Sequence, residues 1–213
     1  MGPLLWRLAS ARPIAAGQST NVTRALEGTL LRSLGSMPAA GQIALLAIPD
    51  GGRIVAAGIA LPRRLSVADR QRLRSALTGI ERESFGGSMR LGQRLTAAPW
   101  VGPARSWITV TPYVREGYAS RSRSDRRKLV RRSLRYILAP DDDDPAAAVR
   151  NLVQDIEISE HPFAPDVRPA RDWPRTAAML PEHLRIVFSE PVLGPLIIGR
   201  DRRLGLGLMR PVD

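Results

Sequence analysis

The segment QIALLAIPDGGRIVAAGIALP, residues 42–62, constrains the fold more than any other part of the sequence. Two apolar runs flank the tetrapeptide Pro49-Asp50-Gly51-Gly52. An Asp-Gly step between apolar runs of strand length is typical of a β-hairpin. The sequence therefore predicts two adjacent antiparallel strands here, and what lies on either side of them decides the fold class.

Helical patterns lie on both sides of this hairpin. Leucines recur at helical spacing in GQSTNVTRALEGTLLRSLGS, which Gly35 can end, and Ser66 opens the amphipathic segment SVADRQRLRSALTGI. The apolar run at residues 4–9 supplies a first strand and residues 88–95 a fourth. The resulting order, β-α-β-β-α-β, predicts a ferredoxin-like (RRM-like) unit over residues 1–98.

A sheet of this kind leaves one face free, and RRM domains use that face to stack RNA bases on aromatic side chains. Aromatic residues make up only 5% of this chain, and neither hairpin strand carries one. Base stacking on the sheet is therefore not supported. Phosphate contacts and loops would have to hold RNA.

The second half of the chain predicts more strands and one strongly basic helix. Strands are expected in Trp107–Val110, in DIEISEHPF and in HLRIVFS, with a helix over Ser124–Leu138 between the first two. We therefore expect an α+β protein in which residues 99–213 form a second, degenerate ferredoxin-like domain. Its C-terminal end is the glycine-rich segment VLGPLIIGRDRRLGLGLMRPVD.

The charge of the chain favours an anionic partner, with nucleic acid first. The net charge is +12, and residues 115–136 alone hold nine basic residues against two acidic ones. The helix in this segment should hold a phosphate backbone. Its predicted nucleic-acid contacts are Arg121, Arg123, Arg126, Arg127, Lys128, Arg131, Arg132 and Arg135.

Several classes of protein are disfavoured by what the sequence lacks. It has no cysteine for a disulfide or a thiolate metal site, no phosphate-binding P-loop and no dinucleotide fingerprint. No apolar run is long enough for a membrane span, and the first eight residues do not resemble a signal peptide. The run Asp141–Asp144 is interpreted as a linker that caps a helix. We expect a cytoplasmic protein without a metal or another cofactor.

The two histidines are the candidates for catalysis. RNA can be cut without a metal when its 2′-hydroxyl attacks the adjacent phosphate while a base and an acid move protons, and imidazole suits both tasks. His161 lies between Glu160 and Pro162 at a strand end, and His183 begins the strand HLRIVF. The alternative for each is an ordinary surface or hydrogen-bonded histidine.

The stretch HLRIVFSEPVLGPLIIGRDRRLGLGLMRP resembles the end of the CRISPR-associated RAMP superfamily, which has a glycine-rich loop between the last strands of a ferredoxin-like fold. More narrowly, the chain resembles the C-terminal, repeat-RNA-processing half of the fused Cas5-like subunit of the subtype I-G (I-U) effector complex. LLAIPDGGRIVAAGIALPRRLSVADR, SWITVTPYV and EISEHPFAP fit the same family in the same order.

This resemblance implies a CRISPR RNA-binding subunit of a type I Cascade-like complex that cuts the precursor within its repeat and retains the 3′ handle. Its partners would be that RNA and other effector subunits. The loop maps to Gly194, Gly199, Gly205 and Gly207, with Arg200, Arg202 and Arg203 at its tip. The resemblance implies that this loop binds RNA, because glycines let backbone N–H groups approach phosphates closely and arginines bind phosphate oxygens. The alternative is a hairpin whose glycines only permit a tight turn.

Two alternatives stay open. Relatives tend to carry histidines in the segment that reads GSMPAAGQIALLAIPDGGRI here, which has none. A non-catalytic guide-RNA-binding assembly subunit is therefore the first alternative. A general basic DNA- or RNA-binding protein is the second.

Overall fold

The structure is a computed structural model, which describes residues 4–35, 43–50, 52–61, 66–81, 84–96, 98–117, 122–139, 142–173 and 180–212. The chain forms two compact units, Met1–Ala97 with Arg203–Gly205 and Ala98–Arg202 with Leu206–Asp213. The junction lies between residues 97 and 98, and the short segment Arg203–Gly205 groups with the first unit. No helix in the described ranges is long and apolar enough to cross a membrane.

The first unit consists of one antiparallel sheet and two long helices. The elements are β1 (Leu4–Ser10), α1 (Ser19–Leu34), β2 (Ala44–Asp50), β3 (Arg53–Ala60), α2 (Val67–Ile80), β4 (Ser84–Phe85) and β5 (Met89–Leu95). The sheet order is β2-β3-β1-β5-β4. The predicted β-α-β-β-α-β succession is present, and the short strand β4 is an addition at the sheet edge.

Local signals explain where these elements begin and end. Gly35 ends α1 with φ +74°, a conformation that costs glycine little. The Ser66 side chain accepts a hydrogen bond from the backbone N–H of Asp69 and so caps α2. The hairpin pairs Ala44 with Ala60 and continues to Asp50 opposite Arg53.

The second unit repeats this connectivity with one element missing. Its elements are α3 (Ala98–Val101), β6 (Pro103–Thr109), α4 (Arg123–Leu138), α5 (Pro145–Leu152), β7 (Val153–Ser159), β8 (His183–Leu193) and β9 (Met209–Val212). The sheet order is β7-β8-β6-β9, with all three strand pairs antiparallel. No α-helix lies between β8 and β9. The glycine-rich segment occupies that connection with only a short 3-10 turn at Arg202–Leu204.

The helix α4 is amphipathic, as its sequence predicts, and its apolar side packs on the sheet. Val130 and Leu134 are fully buried in a core that includes Trp107 and Phe188. Because one side of the helix is fixed in the core, its charged side is directed away from it.

Candidate functional site

The basic residues of α4 fall into two groups. In the first group, each side chain pairs with an acidic residue of the second unit. Arg126 Nη1 lies 2.8 Å from Glu182 Oε1 and Arg127 Nη2 lies 3.1 Å from Asp155 Oδ1. Lys128 pairs with Asp125 one helical turn earlier, at 3.1 Å. A ligand that used these cations would have to compete with those carboxylates.

The second group consists of Arg123, Arg131, Arg132 and Arg135. None of these four forms an ion pair within the described ranges of the chain. Arg123 and Arg132 are exposed, while Arg131 and Arg135 are partly exposed. The predicted contact Arg121 lies outside the described residues. Within the part of the chain that the structure describes, this second group therefore supplies positive charge that no ion pair neutralises.

Glu182 connects the helix to the rest of the second unit. Its side chain is 7% exposed and lies between Arg126 of α4 and Arg115, whose Nε is 3.5 Å from Oε2. Its backbone exchanges two hydrogen bonds with Tyr113, at 2.7 and 2.9 Å. Tyr113 is fully buried, and this burial raises the pKa of its hydroxyl well above the ordinary value. Glu182 thus holds the position of α4 relative to the segment that contains Tyr113 and Arg115.

The glycine-rich segment follows β8. Gly199 and Gly207 have φ of +97° and +75°. A Cβ on Gly199 would lie 2.6 Å from the carbonyl oxygen of Val114, and one on Gly207 would lie 1.8 Å from that of Ile198. Both positions therefore require glycine for backbone conformation and for close packing. Gly205 is buried, with φ +76°.

Backbone N–H groups of this segment are used inside the fold. The N–H of Arg200 donates to Val114 O at 2.9 Å, that of Gly207 donates to Pro112 O at 2.9 Å, and that of Ile198 donates to Gly207 O at 3.0 Å. The expectation that the glycines bring backbone N–H groups to phosphates is therefore wrong for Gly207.

The three arginines of this segment differ in exposure and in bonding. The Arg200 side chain is 56% exposed. Arg202 donates to Glu116 Oε1 at 3.2 Å, and Arg203 is partly exposed. The side chain of Arg200 is the best placed of the three to meet a ligand.

The structure contradicts the prediction that His183 acts as a catalytic acid or base. His183 begins β8 as expected, but its side chain is fully buried. Nε2 lies 2.9 Å from the carbonyl oxygen of Arg168, which can only accept, so Nε2 carries the proton. Nδ1 then accepts from Thr109 Oγ1 at 3.0 Å, and that oxygen accepts from the N–H of Leu184. With both nitrogens bonded inside the protein, His183 has none available to exchange protons with a substrate.

The burial of His183 predicts a pH dependence of stability. Burial lowers its pKa from the ordinary 6.5, so below that pH the unfolded chain takes up a proton that the folded chain does not. Stability is therefore highest above pH 6.5 and is lost as the pH falls, by at most about 1.4 kcal/mol per pH unit, until the folded-state pKa is reached. Urea unfolding between pH 7.5 and 5 should show this loss. His183→Gln should show a flatter profile, and an identical slope in the two proteins would contradict this assignment.

His161 is placed differently. It is exposed just after β7, and its backbone N–H donates to Ser159 Oγ at 3.0 Å. The segment that follows it is fixed, since Arg210 donates two hydrogen bonds to Asp166 and Arg168 O accepts from His183. Of the two candidate histidines, only His161 has an imidazole that a ligand can reach.

No group of three or more histidine or acidic side chains in the described part of the chain is placed to hold a metal ion.

Comparisons by sequence and by structure give different results. No protein-family model matches the chain, and no curated protein matches it. A mutant of a Cas6 protein superimposes with a TM-score of 0.56 at 19% identity, covering 100% of this chain and 98% of that one. A Thermus thermophilus Cas6 in a product complex gives 0.53 at 12% identity with 100% of both chains covered. A further CRISPR-associated Cas6 gives 0.51 at 10% identity, covering 99% and 98%.

This chain has the fold of Cas6. The Cas6 proteins it matches are CRISPR-associated, which agrees with the predicted resemblance at the level of the fold. At these identities the likeness concerns the fold, so the roles of individual residues rest on the geometry described above.

Sequence reasoning missed Glu182 as part of this site. Glu182 follows a proline-rich stretch and precedes a strand, and no spacing relates it to Arg115 or Arg126. The many arginines of α4 could have indicated an acidic partner of this kind, because so many arginines on one helix need some carboxylate partners.

Proposed function

We propose that this chain binds the repeat-derived portion of CRISPR RNA and retains it as the 3′ handle of a guide in a type I Cascade-like effector complex. The observation that carries this proposal is the group of four α4 arginines that form no ion pair within the described ranges, on a chain with the Cas6 fold. Arginine guanidinium groups bind phosphate oxygens in forked geometry, so such a group suits an RNA backbone. The resemblance to the RNA-processing half of the subtype I-G subunit supports the same assignment. Other subunits of that complex would be its protein partners.

Salt-dependent binding tests this proposal. Repeat RNA should bind the full chain with an affinity that falls linearly in log–log form as salt rises. Arg132→Ala should weaken binding and reduce the magnitude of that slope by about 0.7–0.9, the value for one lost phosphate contact. Arg74→Ala, on an exposed position of α2, removes the same charge as a control and should leave the slope unchanged. Equal effects of the two variants would contradict binding by α4.

Cleavage of the precursor is the second candidate function, and the exposure of His161 favours it. In this reaction the 2′-hydroxyl loses its proton and its oxygen attacks the adjacent phosphorus. The bond to the 5′-oxygen then breaks, and that oxygen takes up a proton, which leaves a 2′,3′-cyclic phosphate and a 5′-hydroxyl. His161 would serve as the general base or the general acid.

Incubation of repeat RNA with the protein in EDTA separates cutting from binding. Cuts at one site that persist in His183→Gln and vanish in His161→Ala would support catalysis by His161. Tight binding of intact RNA would instead support a non-catalytic assembly subunit. Competition with duplex DNA of the same sequence tests the remaining alternative, because a preference for the duplex would contradict a guide-RNA role.

A further inference from the structure

Among the aromatic side chains that the structure describes in the second unit, one is exposed. Tyr136 is 61% exposed, whereas Trp107, Tyr113 and Phe188 are fully buried. An exposed tyrosine gains little from packing, so its position is not explained by the stability of the helix. Aromatic residues are only 5% of the chain, and this one lies on the most basic helix.

Charged residues lie on both sides of Tyr136 in the sequence. Arg132 lies four residues earlier and therefore shares its helix face. Arg132 is exposed and forms no ion pair within the described ranges. Beyond the end of the helix at Leu138 come the acidic residues Asp142–Asp144. Arg132 therefore provides a positive charge for a phosphate on the same face of α4 as Tyr136.

We propose that the Tyr136 ring stacks on an unpaired RNA base next to a phosphate bound by Arg132. This inference rests on the proposed function, because it assumes that α4 contacts RNA. It adds that the nucleotide bound at Tyr136 must be unpaired, since a base inside a duplex has no free face. It also gives the RNA a base contact in a protein whose hairpin strands carry no aromatic residue.

Stacking and phosphate binding differ in their dependence on salt. A stacked base releases no counterions, so its loss lowers affinity at every salt concentration by the same factor. Stacking of one base on an aromatic side chain corresponds to about a 5- to 150-fold change in affinity. It also depends on the ring and not on the tyrosine hydroxyl.

Three variants of the full chain test this inference against single-stranded repeat RNA over a series of salt concentrations. Tyr136→Ala should weaken binding at least about 5-fold with the log–log slope unchanged. Tyr136→Phe should bind like the unmodified protein. Arg132→Ala should weaken binding and also reduce the slope. Because Tyr136 is exposed, the urea midpoints of its two variants should match that of the unmodified chain.

Abasic RNA gives an independent measurement. One abasic position should weaken binding to the unmodified protein and have no further effect on Tyr136→Ala. Effects that simply add would overturn the inference.

The possible failures are distinguishable. Tyr136→Ala binding normally while Arg132→Ala binds weakly would overturn stacking and leave the proposed function intact. Normal binding by both variants would overturn the RNA-binding role of this helix face, and stacking with it. Weak binding by Tyr136→Phe would assign the contact to the hydroxyl and overturn stacking.

Discussion

Glu182→Ala should lower the free energy of unfolding by about 2–4 kcal/mol, although no ligand needs to touch this residue. Removing its carboxylate leaves Arg126 and Arg115 facing each other without a counter-charge, and breaking a buried pair by deleting one partner costs several kcal/mol. The expected loss is smaller than that for a fully buried pair because Arg126 keeps 31% of its side chain exposed. Urea unfolding followed by circular dichroism measures the loss.

RNA binding should fall as well, because the position of α4 depends on this carboxylate. Glu157→Ala is the matched control. It breaks the 3.2 Å ion pair of Glu157 with Arg185, in which the two side chains are 38% and 45% exposed, so it should cost under about 1 kcal/mol. If Glu182→Ala and Glu157→Ala lose the same stability, Glu182 does not hold the helix in place.

The parts of the fold that sequence reasoning predicted were those with local signals. The hairpin at Pro49–Gly52, the start of α2 at Ser66 and the end of α1 at Gly35 each depend on residues a few positions apart. Turn chemistry and capping act at that range, so one sequence is enough to predict them.

The environment of His183 could not be predicted in this way. Its two partners, Thr109 and Arg168, come from a different strand and from a loop, 74 and 15 residues away. A histidine at the start of a strand looks the same in the sequence whether the surrounding loops cover it or leave it exposed. The same holds for Glu182, whose partner Arg126 is 56 residues away.

The glycine-rich segment shows a third case, in which the residues were recognised and one physical reason was not. The sequence predicted a loop with open backbone for an anion. The structure shows Gly207 in a conformation with φ +75° and no room for a Cβ. A glycine pattern alone does not distinguish close approach to a ligand from close approach to the protein's own backbone.

Gly207→Ala distinguishes these two explanations and should be among the most destabilising single substitutions in the chain. The new Cβ would lie 1.8 Å from Ile198 O, so the backbone must move. The hydrogen bonds of Gly207 with Ile198 and Pro112 would be strained or lost with it. We expect a loss of about 4 kcal/mol or more, visible as a large drop in the urea midpoint.

Gly52→Ala separates the clash from the backbone conformation. Gly52 has φ +80° and nothing within 4 Å of the position of a Cβ. Its variant should therefore lose only about 1–2 kcal/mol of folding free energy, which is the cost of placing alanine in the left-handed conformation. The difference between the two variants then measures the close packing at Gly207. If Gly207→Ala were as stable as Gly52→Ala but bound RNA poorly, the segment would serve the ligand directly, because a glycine required by packing cannot be replaced without loss of stability.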